Sequence, residues 1–433
     1  MLNYIWLFLL LAGVVIGGFT GRLPEVTSGA LDGAKNAVTL AIGLVGIMAL
    51  WLGIMRLAER SGLMHIIARA IRPLMRKLFP DVPPEHPALG AMVMNIAANM
   101  LGLGNSATAL GLRAMGHLES LNPRPGTATN AMCTFLAINT SSIQLIPATA
   151  VAILAAAGSK DPTAIIGTAL IATTCAAVAG VTSVKLLEKL PAFRLSAPPA
   201  EPANKPIAEP SAAEEKIDAA PLPVWGAAAL ALFTLVFVAW FTREIFCPTA
   251  HVNESIFVRA LGAISAMAIP FFLSFIPLYS TLRKVNVYEQ FVEGAKEGFN
   301  VAVRIIPYLV AILAAVGMFR AAGGIEMISH ALAPVLNRIG FPTDLLPMVL
   351  VRPLSGSATQ GLFAELVKTL GPDNIVTRMA GTIYGSTETT FYVLAVYFGS
   401  VAIRKTRHAV IAGLIADTVG VIASIVICRM RFG

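Results

Sequence analysis

Residues 130–157 read NAMCTFLAINTSSIQLIPATAVAILAAA, and residues 378–400 read RMAGTIYGSTETTFYVLAVYFGS. Each is an apolar run interrupted near its middle by hydroxyl-bearing residues. The first carries Asn139-Thr140-Ser141-Ser142, then Gln144 and Pro147; the second carries Gly385-Ser386-Thr387-Glu388-Thr389-Thr390. Both runs are long enough to cross a bilayer as helices. Short hydroxyl side chains compete for backbone hydrogen bonds and proline removes a donor, so both runs are expected to break midway. Backbone groups freed inside hydrocarbon must be satisfied, so such breaks face protein or a wet cavity. The reading that follows is an all-α polytopic membrane protein with discontinuous helices.

The rest of the chain agrees. Of 433 residues, 56% are apolar and 13% charged, with a mean hydropathy of +0.75. A soluble globular chain carries about 25% charged residues. These values exclude a disordered protein and argue against a water-soluble enzyme. The net charge of +8 reads as membrane orientation, because no basic stretch is interleaved with aromatic residues as a nucleic-acid groove requires. The lipid bilayer is therefore the expected partner and nucleic acid is not; a homo-oligomer is compatible with the sequence. Further apolar segments run over Met1–Gly18, Val38–Met55, Leu89–Leu112, Thr163–Val184, Val224–Phe241, Phe257–Ser280, Val301–Phe319, Leu345–Leu366 and Ala409–Cys428. The first lacks a preceding basic region and a small-residue cleavage site, and reads as a retained helix rather than a signal peptide. Cys133, Cys175, Cys247 and Cys428 form no CxxC pair and the histidines have no ligand spacing, so no metal, cofactor or disulfide framework is expected.

Between Pro191 and Pro223, 17 of 33 residues are Pro or Ala and many of the others are charged. Such a segment cannot bury a core and is expected to be a flexible, solvated linker. It divides the chain into residues 1–190 and 224–433. The halves echo one another in order. Asp32-Gly33-Ala34-Lys35 matches Glu293-Gly294-Ala295-Lys296, Pro73 matches Pro334, and Phe79-Pro80 matches Phe341-Pro342. Ser106-Ala107-Thr108 matches Ser357-Ala358-Thr359, and Thr129 and Thr134 match Thr377 and Thr382. Ile171-Ala172-Thr173-Thr174 matches Ile415-Ala416-Asp417-Thr418. Matches that keep their order over both units point to duplication.

Leu89–Leu112 and Leu345–Leu366 read either as full spans or as re-entrant hairpins. Lysine and arginine favour the cytoplasmic side. With two hairpins and a cytoplasmic linker, the cluster from Arg56 to Lys77 lies inside. It is joined there by Arg113, Arg124, Lys185, Lys189, Arg283, Lys284, Lys296, Arg404, Lys405 and Arg407. Two full spans would put the first cluster, Arg283, Lys284 and Lys296 outside, so the hairpins are expected. Each repeat then has three spans and a hairpin, with two spans between repeats, and the repeats face opposite ways. This inverted topology is one that many secondary transporters use. Arg429 and Arg431 fall outside and run against the rule. The stretch Arg56–Phe79 reads as an interfacial amphipathic helix, and the expected location is the bacterial inner (plasma) membrane.

Four stretches are too polar or Gly-rich for lipid, and paired breaks near the midplane are the best pointer to a binding site. The candidate solute-binding residues are Asn95, Asn99, Gly104, Asn105 and Thr108 in the first hairpin, with Asn139, Thr140 and Ser141 in the helix after it. The second half offers Arg352, Ser355 and Gly356 in its hairpin, then Ser386, Thr387, Glu388 and Thr389. Registering Thr129 on Thr377 makes Thr140 the counterpart of Glu388. Glu388, Asp417 and Arg352 are deep in apolar segments, where each is costly unless paired, hydrated or neutralised. Glu388 and Asp417 are the ion-coupling candidates, with Arg352 binding an anionic group; a structural Arg352–Glu388 ion pair is the alternative. Helix packing through interhelical hydrogen bonds is the other use for such residues. No nucleophile–base pair, P-loop or HExxH motif is present, so no catalytic residue and no enzyme activity is expected.

With these motifs in view, the first half resembles spore maturation protein A. Trp51-Leu52-Gly53, Phe79-Pro80-Asp81, His86-Pro87-Ala88, Gly102-Leu103-Gly104-Asn105 and Asn139-Thr140-Ser141 carry the resemblance. From about Ile276 the chain resembles spore maturation protein B, through Val287-Tyr288-Glu289, Gly294-Ala295-Lys296-Glu297-Gly298, Arg352-Pro353, Gly385-Ser386-Thr387, Tyr392-Val393-Leu394 and Val396-Tyr397-Phe398-Gly399. The two are usually separate chains, so this one looks like their fusion through the Pro/Ala segment. The resemblance implies the nucleoside-recognition, or gate-domain, superfamily, which is similar to the membrane gate of ferrous-iron transporters and distantly to concentrative nucleoside transporters. It thereby implies a transporter-like gate for a small polar solute, an ion or a nucleoside-like molecule. A non-transporting membrane scaffold or regulator of spore-maturation type is the competing reading. Where the B-type pattern often has Asp, this chain has Glu388.

Overall fold

The structure is a computed structural model that describes residues 2–102, 104–193, 220–247, 255–324, 327 and 340–433; of residues 2–5, 104–106, 301, 302, 304, 305 and 308 it describes the backbone alone. Among the described residues every extended element is helical, with one isolated bridge between Thr127 and Lys405. Five of these helices are long and apolar enough to cross a membrane.

The first half begins with α1 (Leu2–Thr20), the long α2 (Leu23–Arg60) and α3 (Leu63–Leu78). The basic stretch from Arg56 is thus divided rather than one helix. Gly62 adopts φ +73°, a left-handed turn that glycine takes without a Cβ penalty, and it starts α3 afresh. That helix buries Leu63, Met64, Ala68 and Met75 while Arg69, Arg72, Arg76 and Lys77 are exposed. Next come α4 (Pro87–Leu101) and α5 (Gly104–Ser120), which pack against each other as a hairpin about a turn at Gly102. At 15 residues α4 spans about 22 Å, short of a hydrocarbon core of about 30 Å. The quoted run of the first half forms α6 (Asn130–Ser141) and α7 (Ala148–Ala156), separated by the break, and α8 (Ile165–Leu187) follows.

Helices α9 (Val224–Phe246) and α10 (Ile256–Leu282) pair with each other, and α11 (Val287–Ala321) opens the second unit. The hairpin region there holds α12 (Leu346–Val351) and α13 (Gly356–Leu370), joined by a turn at 352–354. The second quoted run forms α14 (Ile375–Ser386) and α15 (Thr390–Ser400), and α16 (Ala409–Phe432) ends the chain. Both runs therefore break where their hydroxyl clusters lie. The counterpart of Pro73, Pro334, falls outside the described residues, as does the linker from 194 to 219. The linker ends are held: Arg407 donates to the Phe193 carbonyl, and Arg283 Nε to the Ala220 carbonyl at 2.8 Å.

The long helices of the two units run antiparallel along a glycine seam. Gly29 lies against Gly317 near one end, and Gly53 against Phe291 and Gly294 near the other. A Cβ on Gly294 would stand 2.6 Å from the Leu52 carbonyl oxygen, and one on Gly33 would collide with that of Leu313. Gly33 and Gly294 hold matching places in the two sequence units, and the same register matches Leu52 to Leu313. One contact is thus made twice, with the partners exchanged, as in a two-fold interface. Helices α8 and α16 repeat the pattern: Gly180 meets Ala416, and Gly420 meets Ala176. On these helices α6 and α14 are each packed. The outward-running Arg429 and Arg431 sit in the last turn of α16, where a cation meets the negative helix end, and Arg429 donates to the Gly340 carbonyl.

Candidate functional site

The two breaks touch. The backbone N–H of Glu388 donates to the Thr140 carbonyl at 2.7 Å, which joins the two residues that the repeat register pairs. Each break leaves helix-end carbonyls that need donors, and the halves supply them differently. In the first, the Thr173 hydroxyl on α8 faces the carbonyls of Ser141 at 2.9 Å and Ser142 at 2.8 Å. In the second, Arg352 provides the donors. Its guanidinium donates to the Tyr384 carbonyl at 2.9 Å, to that of Thr387, and to Thr389 Oγ1 at 3.3 Å. It also lies 5.0 Å from the centre of the Tyr384 ring. A cation there opposes the negative end of α14. Arg352 is only 4% exposed, so these partners are its substitute for water.

Arg352 and Glu388 do not form an ion pair; the guanidinium is committed to carbonyls instead. Gln144 Nε2 approaches Glu388 Oε1 at 3.4 Å. Glu388, Gln144, Arg352, Gly356, Tyr384 and Trp51 lie around a cavity of about 160 Å³, which also touches Pro147 and Gly102. That is room for several waters. The cavity therefore draws on both breaks, on both hairpins and on α2.

The remaining candidates are engaged elsewhere. Asn95 Nδ2 donates to the Ala107 carbonyl at 2.7 Å and to Tyr397 at 3.2 Å. The Tyr397 hydroxyl reaches Asn139 Oδ1, which also accepts from Asn99 at 2.9 Å. This chain ties the first hairpin to α6 and α15. Ser141 and Ser386 donate back into their own helices, at 2.9 Å to Ala137 and 3.0 Å to Ile383. Ser355 caps α13 by accepting from Ala358 N–H at 3.2 Å. Thr108 is half-buried on α5, and of Gly104 and Asn105 only the backbone is described. Asp417, 6% exposed on α16, accepts from the Thr390 hydroxyl at 2.6 Å. Of the sequence candidates, Arg352, Gly356 and Glu388 line the cavity; Asn95, Asn99, Asn139, Thr140, Ser141 and Asp417 are not among its lining residues. Trp51 and Tyr384 were not candidates, because an aromatic residue in an apolar run carries no polar signal.

Two discontinuous helices meeting at a partly open, charged cavity, within a bundle of apolar helices, define a multi-pass membrane protein of the gate type. The chain belongs to the Gate family, described as nucleoside recognition, which matches residues 41–157 and 302–404. It is similar to two proteins of Bacillus subtilis. Spore maturation protein A is 44% identical over 181 residues, 42% of this chain and 92% of that one. Spore maturation protein B is 46% identical over 176 residues, 41% of this chain and 99% of that one. Among solved structures, the YdaH transporter of Alcanivorax borkumensis, described as having an unusual topology, superposes with a TM-score of 0.43 at 16% identity. That alignment covers 98% of this chain and 96% of the other.

Proposed function

We propose that this protein is a membrane transporter in which two inverted gate repeats, residues 1–190 and 224–433, enclose one central site for a small polar solute or ion. The cavity at the meeting of the breaks carries this reading. Glu388 lines it while its own backbone binds Thr140 of the opposite break, so a change of charge or ligand at Glu388 bears directly on the contact between repeats. The antiparallel glycine seams support the inversion, since equivalent helices related by a two-fold axis across their length run in opposite directions. The repeats then rock against each other about a shared midplane site, as alternating access requires. Both ends of the Pro/Ala linker contact arginines of the basic clusters, Arg407 and Arg283, which supports a cytoplasmic linker in a bacterial inner membrane.

Purified protein in liposomes tests this. Accumulation of a labelled nucleoside or amino acid, or ion flux seen with an entrapped indicator, is expected above that of protein-free vesicles. Glu388→Gln is expected to fold normally and lose that movement. The second reading, a non-transporting scaffold or regulator, draws on the Asn95–Tyr397–Asn139–Asn99 chain, whose amides are spent on joining helices. Vesicles without movement of any of these solutes favour it.

A further inference from the structure

We infer that Asp417 is a proton-binding site, taking up one proton at the point where the two breaks cross. Three observations converge on it. The first is deep burial among neutral partners: the Thr390 hydroxyl donates to Asp417 Oδ2 at 2.6 Å, and the Thr387 hydroxyl, which completes no other hydrogen bond, faces the same carboxyl. A carboxylate 6% exposed and held by neutral hydroxyls is costly in its charged form, and protonation removes the charge.

The second is the charge count. Helices α6, α8, α10, α14 and α15 pack against α16. Among the described residues, the charged groups that bear on Asp417 are Arg352 and Glu388. One cation against two carboxylates leaves the crossing a single positive charge short. Asp417 also lies off the cavity wall, so the missing charge is better met by a proton than by a hydrated ion.

The third is the comparison between repeats. The place of Asp417 on α16 is held on α8 by Thr173, whose hydroxyl is engaged with the break beside it. The position therefore works with a neutral donor, and the second repeat has an acid there instead. Taking up the proton forms an O–H bond on Asp417 and releases nothing else, so the crossing changes by one unit of charge. Its use as a coupling charge for transport rests on the transporter reading; the binding itself does not.

Infrared difference spectra of the detergent-purified protein, recorded as pH is raised from about 5 to about 9, follow the carbonyl band of a protonated carboxylic acid. One such band is expected to titrate in the wild type and in Glu388→Gln. It is expected to be lost in both Asp417→Asn and Asp417→Thr, the latter copying the residue of the first repeat. Thr390→Val, which deletes the donor to Oδ2, is expected to keep the band. A band that persists in both Asp417 variants overturns the inference. So does a sodium-dependent rise in melting temperature that both variants abolish, since the site would then hold a metal cation. If Asp417→Asn does not fold, Asp417→Thr and Thr390→Val decide. Because the readout uses no solute, its failure leaves the transport test standing, and the reverse.

Discussion

The break between α6 and α7 and the break between α14 and α15 pose the same physical problem and receive opposite solutions. Each strands carbonyls at the end of a half-helix inside the bundle. The first is served by a neutral hydroxyl from Thr173, the second by the guanidinium of Arg352, whose charge is then shared with Glu388 and Asp417. Duplicated geometry thus does not require duplicated chemistry. One repeat can stay uncharged while the other collects the ionisable groups, and a change in charge on the second break reaches the first through the Glu388–Thr140 backbone contact.

The largest effect is expected where the charged solution is removed. Arg352→Ala strands the carbonyls of Tyr384 and Thr387, at about 1–3 kcal/mol each, and leaves two carboxylates facing no cation. Loss of the folded protein, or a steep fall in the detergent melting temperature, is the expected result; a melting curve like the wild type would break the comparison. Thr173→Val should do less. It removes one neutral donor and should lower stability by about 1–3 kcal/mol in the same melt. A loss equal to that of Arg352→Ala would mean that the charge on the second break adds nothing.

The smallest effect is expected at the rim. Asp373, between α13 and α14, accepts from the Ser159 hydroxyl at 2.7 Å and from Lys160 N–H at 3.1 Å, which clasps the two units together. The Ser159 hydrogen bond, ahead of the Lys160 N–H and Arg378, holds its carboxyl below the ordinary carboxylate range. The clasp therefore contributes above that range and is lost as pH falls through and below it. Asp373 is only half-buried, so Asp373→Asn should change stability by under about 1 kcal/mol. The variant should also flatten the acid side of the melting-temperature profile.

Much of this architecture can be read from residue order. The hydroxyl clusters at 139–142 and 385–390 mark both breaks, because a run of Ser and Thr within an apolar segment offers the backbone other partners. The Gly102 turn and the short apolar stretch before it mark the first hairpin. The matched Gly33 and Gly294 give the seam its register. Side-chain partnership was less legible. Arg352 and Glu388 look like a pair in one dimension, yet the guanidinium is consumed by carbonyls that only the folded crossing brings within reach. Trp51 and Tyr384 become cavity walls through tertiary packing, which no local pattern encodes. The asparagines Asn95, Asn99 and Asn139 read as solute ligands in isolation and are found bonded to one another and to Tyr397.

The central claim is that the two breaks share one wet cavity. Substituted-cysteine labelling in membrane vesicles addresses it most directly, with Gln144→Cys, Glu388→Cys and Ser386→Cys made in a chain whose four native cysteines are replaced. With a membrane-impermeant thiol reagent, the cysteines at 144 and 388 are expected to react from the same side and to block each other, while the buried one at 386 stays unlabelled. Cysteines at 144 and 388 that never react, or that react only from opposite sides, would contradict it.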